Sequence, residues 1–296
     1  MNTIPVLEDA LSKGCYTMRL EYEPDWECQV LLVSDIHFDA VGCNRELIRS
    51  HLEQAKAKNA PVFLLGDTLD LCQGKKDRRA ARHALRPEYA GQDDYLMTVC
   101  EDAANFLAPY VENIKLISMG NHEWGYLNNN EISPLSVLTT LLHNKTGTAP
   151  KVGPYTGWVQ FKLEHKTGGR RQSLSLKYHH GTGAGNAPVT KGMIQSNRSV
   201  VMWPGADIIC RGHLHNRFQA SMPVELISNR GRLITDRERL YLQLGCYVND
   251  VKDGDSWSSR MGFGSPAMGG FWLRIYVNKM AVRTVEGIKV QAITTD

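Results

Sequence analysis

Residues 28–37 read CQVLLVSDIH, a short apolar run that ends in two polar side chains, Asp35 and His37. An apolar run of this length is typical of a strand that is buried on both faces of a sheet. Side chains at positions i and i+2 of extended chain point the same way, so Asp35 and His37 can reach the same side. The stretch therefore predicts a buried strand with two candidate ligands at its carboxyl end.

The first half of the chain repeats this pattern. PVFLLGD at 61–67 and IKLISMG at 114–120 predict two more buried strands that end at a glycine. Amphipathic segments separate the strands, with Asn44 and Ser133-Pro134 as typical helix starts. Strands that alternate with helices predict a largely parallel sheet.

The second half has a different pattern. WVQFKLEH at 158–165 and SLSLKYHH at 173–180 flank a basic turn and predict a hairpin. ADIIC at 206–210 predicts a further strand, and the chain from about residue 240 predicts more. Residues 253–270 are rich in glycine, serine and methionine and predict a long loop. We expect a single α/β domain over 1–296 with a mixed second half.

Composition excludes several protein classes. The 296 residues carry 34 Lys+Arg against 31 Asp+Glu, and this net charge of +3 does not by itself indicate nucleic acid. The N-terminus lacks the features of a signal peptide, and no apolar run approaches the ~20 residues of a membrane helix. The seven cysteines are scattered without a CxxC pair, which favours a reducing compartment. We therefore expect a cytoplasmic protein with no membrane partner.

Five short motifs carry the candidate chemistry, each directly after a predicted strand. They are Asp35-Ile36-His37, Gly66-Asp67 with Asp70, Gly120-Asn121-His122-Glu123, His179-His180-Gly181 and Gly212-His213-Leu214-His215. Each motif alone is also common in ordinary turns. Because ligands bind outside the carboxyl ends of strands in open α/β sheets, the five together predict one metal site. Carboxylate, amide and imidazole donors suit Mn, Fe or Zn better than calcium.

This ordered series resembles the calcineurin-like metallophosphoesterase superfamily, and the matched motifs span residues 35–215. The resemblance implies an α/β fold of two mixed β-sheets packed as a sandwich and flanked by helices. It also implies a site for two divalent metal ions, with Mn favoured and Fe, Zn, Ni or Co as alternatives.

The resemblance also implies a role for each matched residue. The ligands would be Asp35, His37 and His215 for the first metal and Asn121, His180 and His213 for the second, with Asp67 shared by both. His122 would protonate the leaving oxygen, and Asp70 would orient His122. His180 is preferred as ligand because it directly precedes Gly181, and His179 is the alternative.

Two positions depart from particular subfamilies. Serine/threonine protein phosphatases have arginine directly after the second aspartate of GD-x-x-D, where this chain has Leu71. Many bacterial cyclic-nucleotide and exonuclease relatives have aspartate where this chain has Glu123. The sequence therefore disfavours a protein phosphatase and weakens a close assignment to the other two groups.

Three segments are candidates for substrate contact. The first lies at 72–92 and includes Lys75, Arg78 and Arg79 in a basic run that predicts either a cationic wall for a polyanion or a solvated helix face. The second includes Lys191 and Arg198, which could contact phosphate or only shape a loop. The third is the loop at 253–270.

The sequence thus favours a metal-dependent phosphodiesterase that acts on nucleic acid or nucleotides through a water activated between the two metals. A phosphomonoesterase with the same metals is the alternative, and a non-catalytic scaffold on the same fold is a less favoured one. The substrate is expected to be a phosphate ester, and the oligomeric state is left open.

Overall fold

A computed structural model describes most of the chain. The described residues are 4–73, 85–168, 171–182, 192–227, 231, 233–249, 267–277 and 288–295. None of the helices within these ranges is long and apolar enough to cross a membrane.

Strands and helices follow one another along the described residues. The strands are β1 (Leu7–Asp9), β2 (Cys15–Tyr22), β3 (Glu27–Val33), β4 (Val62–Leu65), β5 (Ile114–Ser118), β6 (Lys151–Gly153), β7 (Thr156–His165), β8 (Arg171–His179), β9 (Ile208–Arg211), β10 (Phe218–Ile227), β11 (Leu233–Gln243), β12 (Phe271–Val277) and β13 (Ile288–Thr294). The helices are α1 (Arg45–Ala57), α2 (Tyr95–Leu107), α3 (Asn121–Asn130), α4 (Pro134–Thr146) and α5 (Met193–Met202), with short 3-10 helices at Pro87–Tyr89 and Ala108–Tyr110.

The predicted parallel strands lie in a six-stranded sheet of order β13-β12-β3-β4-β5-β6. β3, β4, β5 and β6 are parallel, whereas β12 and β13 pair antiparallel at the other side. Asn44 caps α1 and Ser133 caps α4 through their side chains, as the sequence predicts. Helices α1, α2 and α4 bury their apolar faces against the outer face of this sheet.

The second half of the chain builds most of a seven-stranded sheet of order β1-β2-β7-β8-β9-β11-β10. The predicted hairpin is present as antiparallel β7 and β8, and β9 pairs parallel with both β8 and β11. Helix α5 lies on its outer face, where Val200 and Trp203 pack against Ile209 and Tyr241.

The two sheets pack face to face around a shared apolar core. Phe63 and Leu65 of β4 meet Phe161 of β7 and Leu176 of β8, and all four side chains are at most 2% exposed. The expected architecture of two mixed sheets flanked by helices is confirmed. Because β4 and β8 both end at this core, their carboxyl ends lie close together.

Several elements were not predicted from the sequence, among them β2, α3 and β10. Strand β2 does alternate, with Tyr16, Met18, Leu20 and Tyr22 buried, so its signal was present. Helix α3 (NHEWGYLNNN) has no apolar stripe, since Glu123 is its one buried residue. Strand β10 alternates only between half-buried and exposed residues. Of the predicted loop at 253–270, only 267–270 are described.

The sheet-to-sheet core gives a direct test of the sandwich. The rings of Phe63 and Phe161 stack across it with centroids 6.5 Å apart. Because Phe161 is fully buried, we expect Phe161→Ala to lower the free energy of unfolding by about 3–5 kcal/mol. Urea denaturation measures this loss. Val201→Ala, at a side chain that is 80% exposed, is the control, and an equal effect of both variants would contradict the packing.

Candidate functional site

Polar side chains from both sheets converge at the carboxyl ends of the strands. Asp35 follows β3, Asp67 follows β4, and Asn121 begins α3 just after β5. His180 follows β8 and His213 follows β9, in the other sheet. The candidate site therefore lies where the two sheets end side by side.

The backbone of these residues has an uncommon conformation. Asp35, His37, Asp67, His213 and His215 all have φ between +49° and +73°. A left-handed residue other than glycine costs on the order of 1–3 kcal/mol and persists only where its surroundings hold it. Five of the seven predicted ligands therefore have an unfavourable backbone conformation that the surrounding structure must hold. Such strain is typical of functional sites.

The first ligand group contains Asp35, His37 and His215. The Nε2 atom of His215 lies 3.3 Å from Asp35 Oδ1 and 3.2 Å from His37 Nε2. His37 Nε2 is also 3.9 Å from Asp35 Oδ1. The three donor atoms therefore face one point, as ligands of a single cation do.

The second ligand group contains Asp67, His180 and His213, with Asn121 between the two imidazoles. His180 Nε2 is 2.9 Å from Asp67 Oδ2 and 3.0 Å from Asn121 Oδ1. Asn121 Oδ1 is also 2.8 Å from His213 Nδ1. The structure thus brings the four predicted donors of this group together.

Asp67 lies between the two groups. Its Oδ2 atom, 2.9 Å from His180, is 4.0 Å from His37 Nε2 and 3.8 Å from His122 Nε2. The carboxylate is 1% exposed. One oxygen therefore faces both ligand groups, which is the arrangement expected of a shared ligand.

Hydrogen bonds fix the tautomers of two candidate ligands. The Nδ1–H of His37 donates to Asp70 Oδ1 at 2.9 Å, and the Nδ1–H of His180 donates to the Leu65 carbonyl at 3.1 Å. Both acceptors are oxygens without a proton to give, so Nδ1 of each imidazole carries a proton and Nε2 is the atom that faces the site. Outer partners of this kind are usual for metal-binding histidines.

Electrostatics keep the carboxylates charged despite their burial. Burial alone would raise the pKa of Asp35, but the facing His180 and His215 lower it to about 2. Burial also opposes ionisation of Asp67, yet His180 and His122 hold the pKa of that carboxyl well below its ordinary value. Conversely, Asp67 and Asp35 outweigh burial and raise the pKa of His180 to about 9.

The donor set fits divalent transition metals. Two groups of donors, each with two buried residues and one half-buried histidine and with its ligand atoms within 4.8 Å of one another, combine carboxylates with imidazoles. Asn121 adds an amide oxygen. Such a mixture suits Mn, Fe or Zn, whereas calcium prefers oxygen alone.

His122 lies beside the shared carboxylate and is held on its outer side. Its Nδ1 is 2.5 Å from the Asp70 carbonyl oxygen and 3.4 Å from Asp70 Oδ1. Cys72 Sγ is 3.3 Å from the same nitrogen. Because a carbonyl only accepts, Nδ1 carries a proton, and Nε2 is the atom that faces the ligand groups. Asp70 contacts both His37 and His122.

Glu123 supports the candidate site through hydrogen bonds that the sequence did not predict. Its buried carboxylate accepts hydrogen bonds from the backbone N–H groups of Gly120, Asp67 and Leu69 at 2.9–3.1 Å. It therefore ties the start of α3 to the turn that carries Asp67. Burial, followed by the charge of Asp67, raises the pKa of Glu123 to about 7.

Two glycines allow this close approach. A Cβ on Gly66, whose φ is +96°, would lie 2.2 Å from His180 Nδ1. A Cβ on Gly120 would lie 2.0 Å from Asp67 Oδ1. Any side chain at either position would push a candidate ligand out of place.

His179 and the predicted substrate residues lie apart from this cluster or outside the described residues. The ring of His179 packs 5.6 Å from Trp203, and its Nδ1 accepts the Gly181 N–H. Arg198 is exposed on α5. Residues 74–84 and 183–191, with Lys75, Arg78, Arg79 and Lys191, are outside the described residues, as is most of 253–270.

A protein-family model matches residues 28–217, which contain every candidate ligand; it describes the calcineurin-like phosphoesterases. The chain belongs to the calcineurin-like phosphoesterase family. The membership confirms the resemblance predicted from the motifs. No curated protein matches this family member in sequence.

Three solved structures are distantly similar to this family member. A conserved uncharacterised protein of Streptococcus pneumoniae TIGR4, a predicted phosphoesterase, is 13% identical over 91% of this chain and 90% of its own, with a TM-score of 0.32. GAP50, the anchor in the inner membrane complex of Plasmodium, is 10% identical over 91% and 89%, with a TM-score of 0.40. Vps29 of Entamoeba histolytica complexed with zinc is 10% identical over 90% and 98%, with a TM-score of 0.31. Likenesses this weak carry no functional information.

Because Asp67 faces both ligand groups, its position predicts that the affinity of both metal sites depends on this carboxylate. We expect Asp67→Asn to weaken both metal sites by at least about 100-fold, since a lost ligand exceeds the effect of a lost outer partner. Equilibrium dialysis of chelator-stripped protein against Mn²⁺ measures this affinity. Asp94→Asn, which keeps an effective helix cap on α2, is the control. Loss of one site with the other unchanged would show that Asp67 is not shared.

The three hydrogen bonds to Glu123 predict a large contribution to stability. Glu123→Gln presents an amide N–H₂ to backbone donors, so we expect the free energy of unfolding to fall by about 1–3 kcal/mol. Thermal and urea denaturation of metal-free protein measure the change. The matched control is Glu46→Gln at an exposed position in the first turn of α1, which should cost less than about 1 kcal/mol. Similar losses in the two variants would argue against the role of Glu123.

Proposed function

We propose that this chain is a metal-dependent phosphodiesterase that acts on nucleic acid or nucleotides. One observation carries the proposal: two groups of largely buried donors face the same oxygen of Asp67, and His122 lies 3.8 Å from that oxygen. This arrangement combines candidate ligands for two cations with an acid beside them, which are the parts used in two-metal hydrolysis of phosphoesters.

The ligands proposed for the first cation are Asp35, His37 and His215, and those for the second are Asn121, His180 and His213, with Asp67 common to both. Mn is the favoured metal, with Fe, Zn, Ni or Co as alternatives. When bound, two such cations orient the phosphoryl group, neutralise its developing charge and make water a stronger nucleophile.

His122 is proposed to protonate the leaving oxygen from Nε2. Its Nδ1–H is held by the Asp70 carbonyl at 2.5 Å, which fixes the ring with Nε2 toward the ligand groups. The Asp70 carboxylate, 3.4 Å from Nδ1, favours the positively charged imidazolium that can donate from Nε2. General acid catalysis of this kind contributes typically 10²–10⁴-fold.

The preference for a polyanionic diester rests on a basic run of the sequence that begins shortly after Cys72. Residues 74–86 carry six Lys+Arg and one acid. Cys72, just before this run, contacts His122. Leu85, near the end of the run, pairs with Ala40. Arg86 is already bonded to Glu88 at 2.7 Å, so the support comes from the other basic residues. Clustered cations beside a site attract a phosphate backbone.

Paired initial rates test the proposal. Protein reloaded with Mn²⁺ is given bis-p-nitrophenyl phosphate and p-nitrophenyl phosphate separately, followed by single- and double-stranded oligonucleotides. We expect the diester to be the faster of the two small substrates, and cleavage of oligonucleotides to fall steeply with added salt. His122→Ala should reduce cleavage of the natural diester bond about 10²–10⁴-fold.

Two results would contradict the proposal in different ways. A faster monoester with no oligonucleotide cleavage would favour the phosphomonoesterase instead. Undiminished oligonucleotide cleavage in His122→Ala would remove the proposed acid. Arg198→Ala, at an exposed position on α5, separates a contribution of that residue to substrate affinity from the chemistry at the metals.

A further inference from the structure

Two buried carboxylates, Glu123 and Asp39, accept hydrogen bonds from the turn that carries Asp67 and Asp70. Glu123 accepts the N–H groups of Asp67 and Leu69. Asp39 accepts the next two, from Asp70 at 2.6 Å on Oδ1 and from Leu71 at 3.0 Å on Oδ2. Asp67 and Leu71 at the two ends of the turn both have positive φ, +49° and +51°. A turn of this shape needs such external acceptors to persist.

We infer that Asp39 is a positioning residue for the proposed acid, His122. The link runs through a single peptide unit. The carbonyl of Asp70 and the N–H of Leu71 belong to the same trans peptide, so they point in opposite directions from one rigid plane. Asp39 binds the N–H end of this plane, and His122 Nδ1 donates to its carbonyl end at 2.5 Å. Rotation of the plane would break both hydrogen bonds together.

Asp39 is itself held in place. Its side chain is 1% exposed, and the Tyr95 hydroxyl at the start of α2 donates a short hydrogen bond to Oδ2. Three donors, Tyr95 and two backbone N–H groups, therefore surround the carboxylate. The consequence is a continuous path from helix α2 through Asp39 to the ring of His122.

Glu123 and Asp39 accept from different N–H groups of the turn, so the role of Asp39 can be tested separately from that of Glu123. Asp67 and Leu69 keep their partner, Glu123, when Asp39 is changed. Such a change removes the acceptor for the N–H groups of Asp70 and Leu71. Asp70 in turn orients His122 through its carbonyl and His37 through Oδ1. A role confined to stability would affect every substrate equally, whereas a positioning role affects substrates in proportion to their need for a proton.

The test rests on the proposed function and compares two leaving groups. Thymidine 5′-phosphate p-nitrophenyl ester releases an anion that needs no proton, whereas the phenyl ester releases a phenolate of pKa about 10 that does. We expect Asp39→Asn to lower kcat for the phenyl ester by about 10²-fold and for the p-nitrophenyl ester by less than about tenfold. Tyr95→Phe should change the same ratio in the same direction by a smaller factor, and it keeps Asp39 as the acceptor if Asp39→Asn fails to fold.

Asp102→Asn is the matched control. Like Asp39, Asp102 accepts a hydrogen bond from a tyrosine hydroxyl, in this case that of Tyr89. It lies in α2 and pairs with Arg45 of α1 at 2.9 Å. This variant should leave the ratio of the two rates unchanged. A second readout does not depend on activity: the Nδ1–H proton resonance of His122 in metal-free protein, assigned by its loss in His122→Ala, should shift in Asp39→Asn and not in Asp102→Asn.

Two outcomes would overturn the inference. Equal losses on both esters in Asp39→Asn, with the His122 resonance unmoved, would reduce Asp39 to a structural role while leaving the proposed function intact. If His122→Ala itself showed no dependence on the leaving group, the proposed acid would be wrong, and the inference would fail with it.

Discussion

The contact between Asp67 Oδ2 and His180 Nε2, 2.9 Å long, joins the two sheets at the candidate site. Asp67 comes from the end of β4 in one sheet, and His180 from the end of β8 in the other. Neither sheet alone carries a complete ligand group, since His213 and His215 follow β9 while Asp35 and His37 follow β3. The apolar core between the sheets, with Phe63 against Phe161, therefore sets the distances on which metal binding depends.

This geometry has a cost that the surrounding structure offsets. Left-handed φ values at five candidate ligands and the burial of several charges both disfavour the folded state. Around Asp67, part of the offset comes from the hydrogen bonds that Glu123 and Asp39 accept from the backbone. Glu123 and Asp39 bind backbone N–H groups and not the donor atoms of the candidate ligands, which therefore can all face the site.

Local sequence signals were sufficient for the strands that end at the site, because buried parallel strands are near-continuous apolar runs. They also placed each candidate ligand motif directly after a strand. They did not predict α3, whose stability comes from tertiary contacts of Glu123 and not from an apolar stripe. Asp39 could not be found from spacing either, since its partners, Asp70 and Tyr95, lie 31 and 56 residues away. The roles of Lys75, Arg78, Arg79 and Lys191 stay predictions.

Anomalous diffraction from crystals soaked in Mn²⁺ tests the central claim most directly. The account predicts two anomalous peaks roughly 3.5–4 Å apart. One peak should lie among Asp35, His37 and His215, the other among Asn121, His180 and His213, and Asp67 should contact both. A single peak, or a peak that does not contact Asp67, would contradict it.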